Sequence, residues 1–201
     1  LIYTMAWKEG VDPTRIILSG VAINSVLGAY NSLLQLMNSD SLEGVLAFMN
    51  GSLSGRSWYQ VRLLAVYAAV GLVLAFLCIK SANALQLGDE MAKSLGVKVN
   101  GSRVLLSGVA AFLAASTVSV AGMIGFVGLV VPHIARILVG SDYKAMLPTS
   151  VVLGAVVLLA ADTVGRTIVP GMEIPVGIVM AVCGGPFFLY LLRKRGKVSG
   201  N

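Results

Sequence analysis

Long apolar runs without charged residues alternate with short polar segments along most of this chain. A membrane-spanning helix needs about 20 mostly apolar residues, because the hydrocarbon core of a bilayer is about 30 Å thick. The pattern therefore predicts an all-α integral membrane protein, a polytopic helix bundle forming a single transmembrane domain over residues 1–201. Residues 1–7 are interpreted as the tail of a further span, which would make the chain N-terminally incomplete. Six spans are predicted, at 14–37, 58–80, 103–122, 125–139, 146–167 and 174–193.

The run from Val104 to Ala135 decides the number of spans. Its 32 residues include no Asp, Glu, Lys or Arg, which makes it too long for one ordinary span. We predict one full helix and a shorter returning helix, with the reversal near Gly122 and Gly125, because glycine adopts the conformations that a reversal needs. This arrangement places 12 of the 15 basic residues on one side of the membrane. The other side keeps three, which are Arg56, Arg62 and Arg166.

The charge asymmetry predicts the orientation. Basic residues accumulate on the cytoplasmic side of membrane proteins, so the basic side, including the C-terminus, is predicted to be cytoplasmic. Residues 81–102 then form the longest cytoplasmic loop. The external loop holds a short apolar stretch, Leu42 to Met49, which is too short to cross and is expected to lie at the membrane face.

Composition supports the same class of protein. Hydrophobic residues make up 57% of the chain and charged residues 12%, with a mean hydropathy of +0.87. A soluble domain carries about twice that share of charge. The net charge of +6 is distributed between apolar runs rather than collected in a patch, so no nucleic-acid partner is predicted and the partner is the lipid bilayer.

A short helix bounded by glycines is predicted within the cytoplasmic loop. Asp89 and Glu90 suit its first turn, and Gly96 suits its C-terminal cap. Met91 and Leu95 are four residues apart and give the helix an apolar face. Two interpretations stay open, which are docking into the groove of a partner protein and an amphipathic connector resting on the membrane surface.

Polar and small residues occur at helical spacing in two of the spans. Gly20, Asn24 and Gly28 recur every fourth residue, so they share a face that meets either a neighbouring helix or a water-filled route. Asp162 and Arg166 are also four residues apart. Because charge in lipid is costly, we predict a structural ion pair between them, with a proton relay or substrate ligand as the alternative.

Residues for catalysis or metal binding are not apparent in the sequence. His133 is the only histidine, and one histidine gives no metal-ligand set. Cys78 and Cys183 lie in apolar runs and are interpreted as packing residues. The chain has neither a G-x-x-x-x-G-K-[ST] phosphate loop nor a plausible Ser/His/Asp set. No catalytic residue, metal or cofactor is predicted, and ATP hydrolysis is assigned to a partner chain.

An ordered set of strings resembles the FecCD family of ABC importer permeases, which carry iron-siderophores, haem and cobalamin. The most recognisable string is Gly125-Phe126-Val127-Gly128-Leu129-Val130-Val131-Pro132-His133-Ile134-Ala135-Arg136. The resemblance extends from about residue 15 to residue 193 and corresponds to the C-terminal two-thirds of a family member. The accompanying strings are Gly51 to Trp58, Leu87 to Gly96, Leu147-Pro148, Ala161-Asp162 with Arg166, and Glu173 to Gly177 leading to Gly185-Pro186-Phe187.

The resemblance implies a ten-span subunit in the bacterial inner membrane. It implies two permease subunits, identical or paralogous, working with two ABC ATPase subunits and an external substrate-binding protein. The residues that it implies for the ATPase-coupling loop are Leu87, Gly88, Asp89, Glu90, Ala92, Leu95 and Gly96. Those for the translocation pathway and its gate are Pro13, Thr14, Ser19, Gly20, Asn24, Ser25 and Gly28. Those of the family motif are Gly125, Gly128, Pro132, His133 and Arg136, with a structural or coupling-loop contact expected for His133.

The predicted function is that of a permease subunit of a binding-protein-dependent ABC importer for iron-siderophore, haem or cobalamin-type metal chelates. An ATP-independent channel or secondary transporter is one alternative, which would require an ion-responsive network of charges along the route. An inactive truncated remnant is another. An intramembrane enzyme would need a turnover that depends on His133 or Asp162.

Overall fold

The computed structural model describes residues 13–37 and 42–196, and all regular secondary structure in those ranges is α-helical. The predicted all-α membrane helix bundle is thereby confirmed as the fold class. The interpretation of residues 1–7 falls outside the described residues. In chain order the helices are α1 (Pro13–Met37), α2 (Leu42–Asn50), α3 (Trp58–Leu77), α4 (Ile79–Gln86), α5 (Asp89–Ser94), α6 (Val99–Ala121), α7 (Val127–Val139), α8 (Tyr143–Thr167) and α9 (Val176–Gly196).

Four helices are long and apolar enough to cross a membrane, namely α1, α3, α6 and α8, whereas α7 and α9 are shorter apolar helices. The count of six spans stays a prediction. Large apolar side chains are exposed along the long helices, for example Leu27 at 61% and Leu159 at 69%. Such exposure fits a helix surrounded by lipid or by other helices rather than by water. Within the described ranges no polar or charged residue is buried.

The capping residues explain where two of the long helices begin. Helix α3 starts after Ser57, whose hydroxyl accepts a hydrogen bond from the Gln60 N–H while the Gln60 side chain accepts one from the Ser57 N–H. This reciprocal pair is a capping box. Helix α8 starts after Asp142, whose carboxylate accepts the Lys144 N–H at 2.9 Å. The cap therefore starts this helix at Tyr143, and the predicted span of residues 146–167 lies within it.

Residues 81–102 contain more helix than the one short helix predicted there. Helix α4 occupies Ile79–Gln86. Cys78 lies between α3 and α4, as the C-cap of the first and the N-cap of the second. Helix α6 begins at Val99, four residues before the predicted span that starts at residue 103, because Val99 is buried together with Ala84 and Ala92. The loop is thus a small packed unit, which we call the loop module (residues 79–99).

The long helices pack in two groups. Helices α3 and α6 lie against each other, and α7, α8 and α9 pack together around the buried residues Ala161, Val176 and Met180. At one end of the bundle, α4 contacts both α6 and α8, and at the other end α2 contacts α9. We call these the α5 end and the Gly51 end. A cavity of about 480 Å³ is lined by residues of α3, α4, α6 and α8 and separates the two groups near the α5 end.

Candidate functional site

The loop module is held together by small buried side chains. Ala92 on α5 is fully buried (0% exposed) and packs with Ala84 of α4 and Val99 of α6. The small side chains of Ala84 and Ala92 let α4, α5 and the start of α6 approach closely, so the module is tightly packed despite its size. Ala92, one of the predicted coupling residues, therefore belongs to the interior of the module and not to its surface.

An ion pair holds α5 against α6, and hydrogen bonds around a glycine end α5. Arg103 Nη2 lies 2.7 Å from Asp89 Oδ1, with side-chain exposures of 29% and 44%. At the other end of α5, Gly96 has a positive φ of 78° and its N–H donates to the Lys93 carbonyl oxygen at 2.9 Å. The N–H of Val97 donates to the Ala92 carbonyl oxygen at 3.0 Å, which completes a glycine-based helix end. Asp89 and Gly96 thus set the position and length of this helix.

Three large apolar side chains project from the loop module. Leu87, Met91 and Leu95 are 64%, 53% and 59% exposed, and they recur at intervals of four residues. We call them the apolar surface of the module. Glu90 is exposed beside them. This fixed apolar surface with an acidic neighbour is suited to docking in a partner's groove.

Helix α1 carries the residues expected along the pathway. Pro13 is its first residue, a position where the missing proline N–H removes no helical hydrogen bond. Thr14 follows it and is exposed, while Ser19 is half-buried. The Ser25 hydroxyl donates to the Val21 carbonyl oxygen at 2.9 Å, so it is satisfied within the helix.

The glycine-rich face of α1 is open within the described chain. Atoms placed as a Cβ on Gly20 or Gly28 would have no neighbour within 4 Å, and Asn24 between them is exposed. An open face of small and polar residues on an apolar helix is suited to contact with another protein or with a water-filled route.

The family-motif string forms the junction before α7 and its first turns. Phe126 is the N-cap of α7 and has a left-handed backbone, with φ at 65°. It is the only described non-glycine residue with a positive φ. Its side chain lies against Gly184 of α9, where a Cβ would overlap it. No sequence pattern predicts this conformation, since bulky residues rarely adopt positive φ.

The other motif residues face different surroundings. The His133 ring lies edge-on to Phe187 of α9, with centroids 6.2 Å apart, so it contacts a neighbouring helix. Pro132 lies inside α7, and Arg136 in its last turn is exposed. Neither Gly125 nor Gly128 would bring a Cβ within 4 Å of another group. The motif thus combines a packed side with an open one.

Asp162 and Arg166 belong to a larger polar cluster at the Gly51 end. Arg166 Nε lies 2.8 Å from Asp162 Oδ2, and Arg166 Nη1 lies 3.3 Å from Glu173 Oε1. The Ser54 hydroxyl donates to the other oxygen of Glu173. The cluster joins the end of α8, the turn before α9 and the loop before α3. Glu173 and Ser54 were not predicted as members, because Glu173 lies in a turn outside the helix of Arg166 and Ser54 is 119 residues away from Glu173.

Backbone contacts between glycines join three elements at the same end, and we call this junction the glycine node (Gly51, Gly122 and Gly177). The Gly177 N–H donates to the Gly51 carbonyl oxygen at 3.2 Å. A Cβ on Gly177 would overlap the Asn50 carbonyl oxygen, and one on Gly122 would overlap the Phe48 carbonyl oxygen. The node therefore requires residues without side chains where α2, α6 and α9 meet.

The described residues contain no group of three or more His, Cys, Asp or Glu placed to hold a metal ion. Cys78 is buried at the α3–α4 junction and Cys183 is exposed on α9, and both are free thiols. The chemistry available at these surfaces is docking, ion pairing and close helix packing.

Permease proteins with named cargoes align with nearly the whole of this chain. The chain is 43% identical over 194 residues to the Fe(3+)-citrate import system permease protein YfmD of Bacillus subtilis, covering 96% of this chain and 58% of that protein. It is 42% identical over 195 residues to the cobalamin import system permease protein BtuC of Halobacterium salinarum, covering 96% and 52%. The chain thus spans a little over half the length of these relatives.

Comparison with solved structures gives the same assignment. A metal-chelate type ABC transporter in an inward-facing conformation matches with a TM-score of 0.79 and 30% identity, covering 96% of this chain and 62% of that one. The profile of the FecCD transport family matches residues 1–194. This is a multi-pass membrane protein, and it belongs to the FecCD transport family.

Proposed function

We propose that this chain is a transmembrane permease subunit of a binding-protein-dependent ABC importer. Its cargo class is a metal chelate of the iron-siderophore, haem or cobalamin type. The chain contributes to the translocation pathway and takes no part in chemical catalysis, because a separate ATPase hydrolyses ATP. The family assignment supports the transport role, and the exposed apolar surface of the loop module is the observation that carries the coupling role.

The loop module has the features that an ATPase-docking element needs. Its apolar surface is exposed, whereas the residues behind it are buried and the helix is fixed to α6 by the Asp89–Arg103 ion pair. A rigid element with an exposed apolar surface passes the displacement of a docked partner on to the helices behind it, because little of that displacement is lost in local bending. The proposed coupling surface is Leu87, Met91 and Leu95 with Glu90, and Gly88, Asp89, Ala92 and Gly96 shape it.

The proposed orientation places the α5 end and the C-terminus in the cytoplasm and the Gly51 end outside. The membrane is the cytoplasmic (inner) membrane of a bacterium. The open face of α1 is proposed to line the pathway where two permease subunits meet, with Pro13 and Thr14 near the cytoplasmic gate. Ser19, Gly20, Asn24, Ser25 and Gly28 are the proposed pathway residues. The Gly51 end is proposed to receive the external binding protein.

The test compares two methionine substitutions in the full-length parent protein. Met91→Asp places a carboxylate on the apolar surface of the loop module, and Met172→Asp places one at an equally exposed methionine (60%) at the opposite end. We expect Met91→Asp to lower capture of the candidate ABC ATPase in detergent by at least about tenfold, because a carboxylate loses hydration in an apolar groove. Met172→Asp should capture the ATPase normally.

Equal capture by both variants would refute docking through the loop module. Absence of capture by the correctly inserted unmodified protein would move the assignment to an ATP-independent channel or to an inactive remnant. A channel would then be recognised by cargo flux into proteoliposomes that hold no ATPase, whereas a remnant would give no flux.

A further inference from the structure

Two groups of helices meet across a cavity at the α5 end. The cavity of about 480 Å³ is lined by Leu106 and Ala110 from α6, by Leu147 from α8, and by residues of α3 and α4. Side chains that line a cavity on facing helices have lost part of their mutual contact. Direct packing between α6 and α8 is therefore weak here among the described residues, and α4 contacts both helices.

Helix α4 makes that connection through hydrogen bonds. Asn83 Nδ2 donates to Asp142 Oδ1 at 2.7 Å, and Asn83 Oδ1 accepts the Tyr143 N–H at 3.0 Å. One turn on, Gln86 Nε2 donates to the Ser141 carbonyl oxygen at 3.0 Å. Both ends of the Asn83 amide are thus used on the first residues of α8. We call these contacts the α4–α8 clamp.

The clamp acts on the N-terminus of α8 itself. Asp142 Oδ1 accepts from Asn83 and also caps α8 by accepting the Lys144 N–H. These two hydrogen bonds, with the charge of Lys144, hold the pKa of the Asp142 carboxyl below its ordinary value of 3.8. The carboxylate is therefore ionised at neutral pH, and charge-assisted hydrogen bonds are stronger than neutral ones.

The clamp connects the loop module to α8, and each of these two elements has a second contact elsewhere. The loop module that contains α4 also contains the apolar surface proposed to meet the ATPase. Helix α8 has 25 residues and is about 37 Å long at 1.5 Å per residue. Its far end is tied through Arg166 and Glu173 to Ser54. Pro148 removes one backbone hydrogen bond near the clamped end, but the helix continues to Thr167. Held at both ends, it carries displacement from one side of the membrane to the other.

We propose that Asn83 is a positioning residue that couples the loop module to α8, so that the ATPase and the external face respond to each other through this helix. The inference rests on the proposed importer function. It predicts that breaking the clamp leaves ATPase docking intact while weakening the effect of the binding protein on ATP hydrolysis, because the two sites are then no longer connected through α8.

The test exchanges the two partners of the clamp. Asn83→Asp places a second carboxylate against Asp142, and the like charges repel. Asp142→Asn alone keeps an oxygen that accepts from Asn83 and caps α8, since Asn and Asp are equally good caps. Combining both changes restores one donor and one acceptor in reversed order. Asn100→Asp, at an exposed position of α6, controls for the added charge.

The assay uses the full-length permease with its ATPase in proteoliposomes. ATP hydrolysis is measured with and without the candidate binding protein loaded with ferric citrate, and ATPase capture is measured in detergent. We expect Asn83→Asp to reduce the stimulation by the binding protein at least about fivefold with unchanged capture. Asp142→Asn and Asn100→Asp should be near normal, and the double variant should regain stimulation.

The outcomes separate this inference from the function on which it rests. Unchanged stimulation in Asn83→Asp, or a loss that Asp142→Asn does not restore, would overturn the clamp's coupling role while leaving the importer assignment standing. Loss of capture in step with loss of stimulation would show a merely structural role and would also overturn it. No capture by the unmodified protein would remove the importer function itself, and this inference with it.

Discussion

The glycine node makes a quantitative prediction about Gly177. A Cβ at this position would overlap the Asn50 carbonyl oxygen and would stand 3.2 Å from the carbonyl oxygen of Met123. Both obstacles are backbone atoms, so no side-chain rotation relieves the overlap. The Gly177→Ala variant must therefore move α9 away from the end of α2, which also stretches the hydrogen bond from the Gly177 N–H to Gly51.

The size of the effect follows from three contributions. Overpacking costs about 1–3 kcal/mol, and weakening one hydrogen bond costs up to about 1 kcal/mol. Replacing glycine by alanine in a helix returns up to about 1 kcal/mol. The net loss of stability is about 1–3 kcal/mol, which lowers the unfolding temperature of a chain of this size by an amount on the order of 5 °C.

Gly108 provides the matched control for this prediction. It lies inside α6 at an exposed position with no proline beside it, and a Cβ there would meet no atom of another element within 4 Å. Gly108→Ala should leave the unfolding temperature unchanged or raise it slightly. The measurement is thermal unfolding of the purified full-length protein in detergent, followed by tryptophan fluorescence. If Gly177→Ala unfolds at or above the temperature of Gly108→Ala, the close approach of the two backbones is refuted.

Three further predictions concern the α5 end. Ala92→Leu inserts three carbons into a fully enclosed position and should destabilise the protein by about 1–3 kcal/mol, measured by thermal unfolding, and should abolish ATPase capture. Arg103→Met removes a partly exposed ion pair with Asp89, so its unfolding should change by no more than about 1 kcal/mol; a larger loss would contradict that estimate. Because the folded pKa of Asp142 is depressed, its stabilising contribution is complete above about pH 3.8 and is lost as pH falls through the folded pKa. Unfolding by denaturant between pH 6 and pH 2.5 should show this loss in the unmodified protein and not in Asp142→Asn.

The long uncharged run from Val104 to Ala135 holds parts of two helices, which are separated at residues 122–126. Its length and its glycines were enough to indicate a break. The residues at which α8 and α6 begin depend on other information. Asp142 caps α8 through a local interaction, and an Asp before an apolar run is a recognisable helix start. Val99 begins α6 because of burial against α4 and α5, and no local pattern reports that contact.

The polar contacts were harder to predict than the apolar ones. The spacing of Asp162 and Arg166 pointed to their contact, because four residues bring side chains together on a helix. Asn83 and Asp142 are 59 residues apart, and the local sequence around neither residue predicts their contact. The same holds for Ser54 and Glu173. Long-range polar pairs depend on how helices are placed, and one sequence without a structure does not fix that placement.

The distribution of contacts has a physical cause that bears on transport. Lipid chains are as apolar as leucine, so apolar burial does little to hold helices together within a bilayer. The two helix groups are instead joined at their ends, by the α4–α8 clamp and by the glycine node. A cavity separates α6 from α8 near the clamp, so relative movement there disrupts little packing. The proposed transport role requires relative movement of helices, and an arrangement with joints at the two ends and a cavity between α6 and α8 permits such movement.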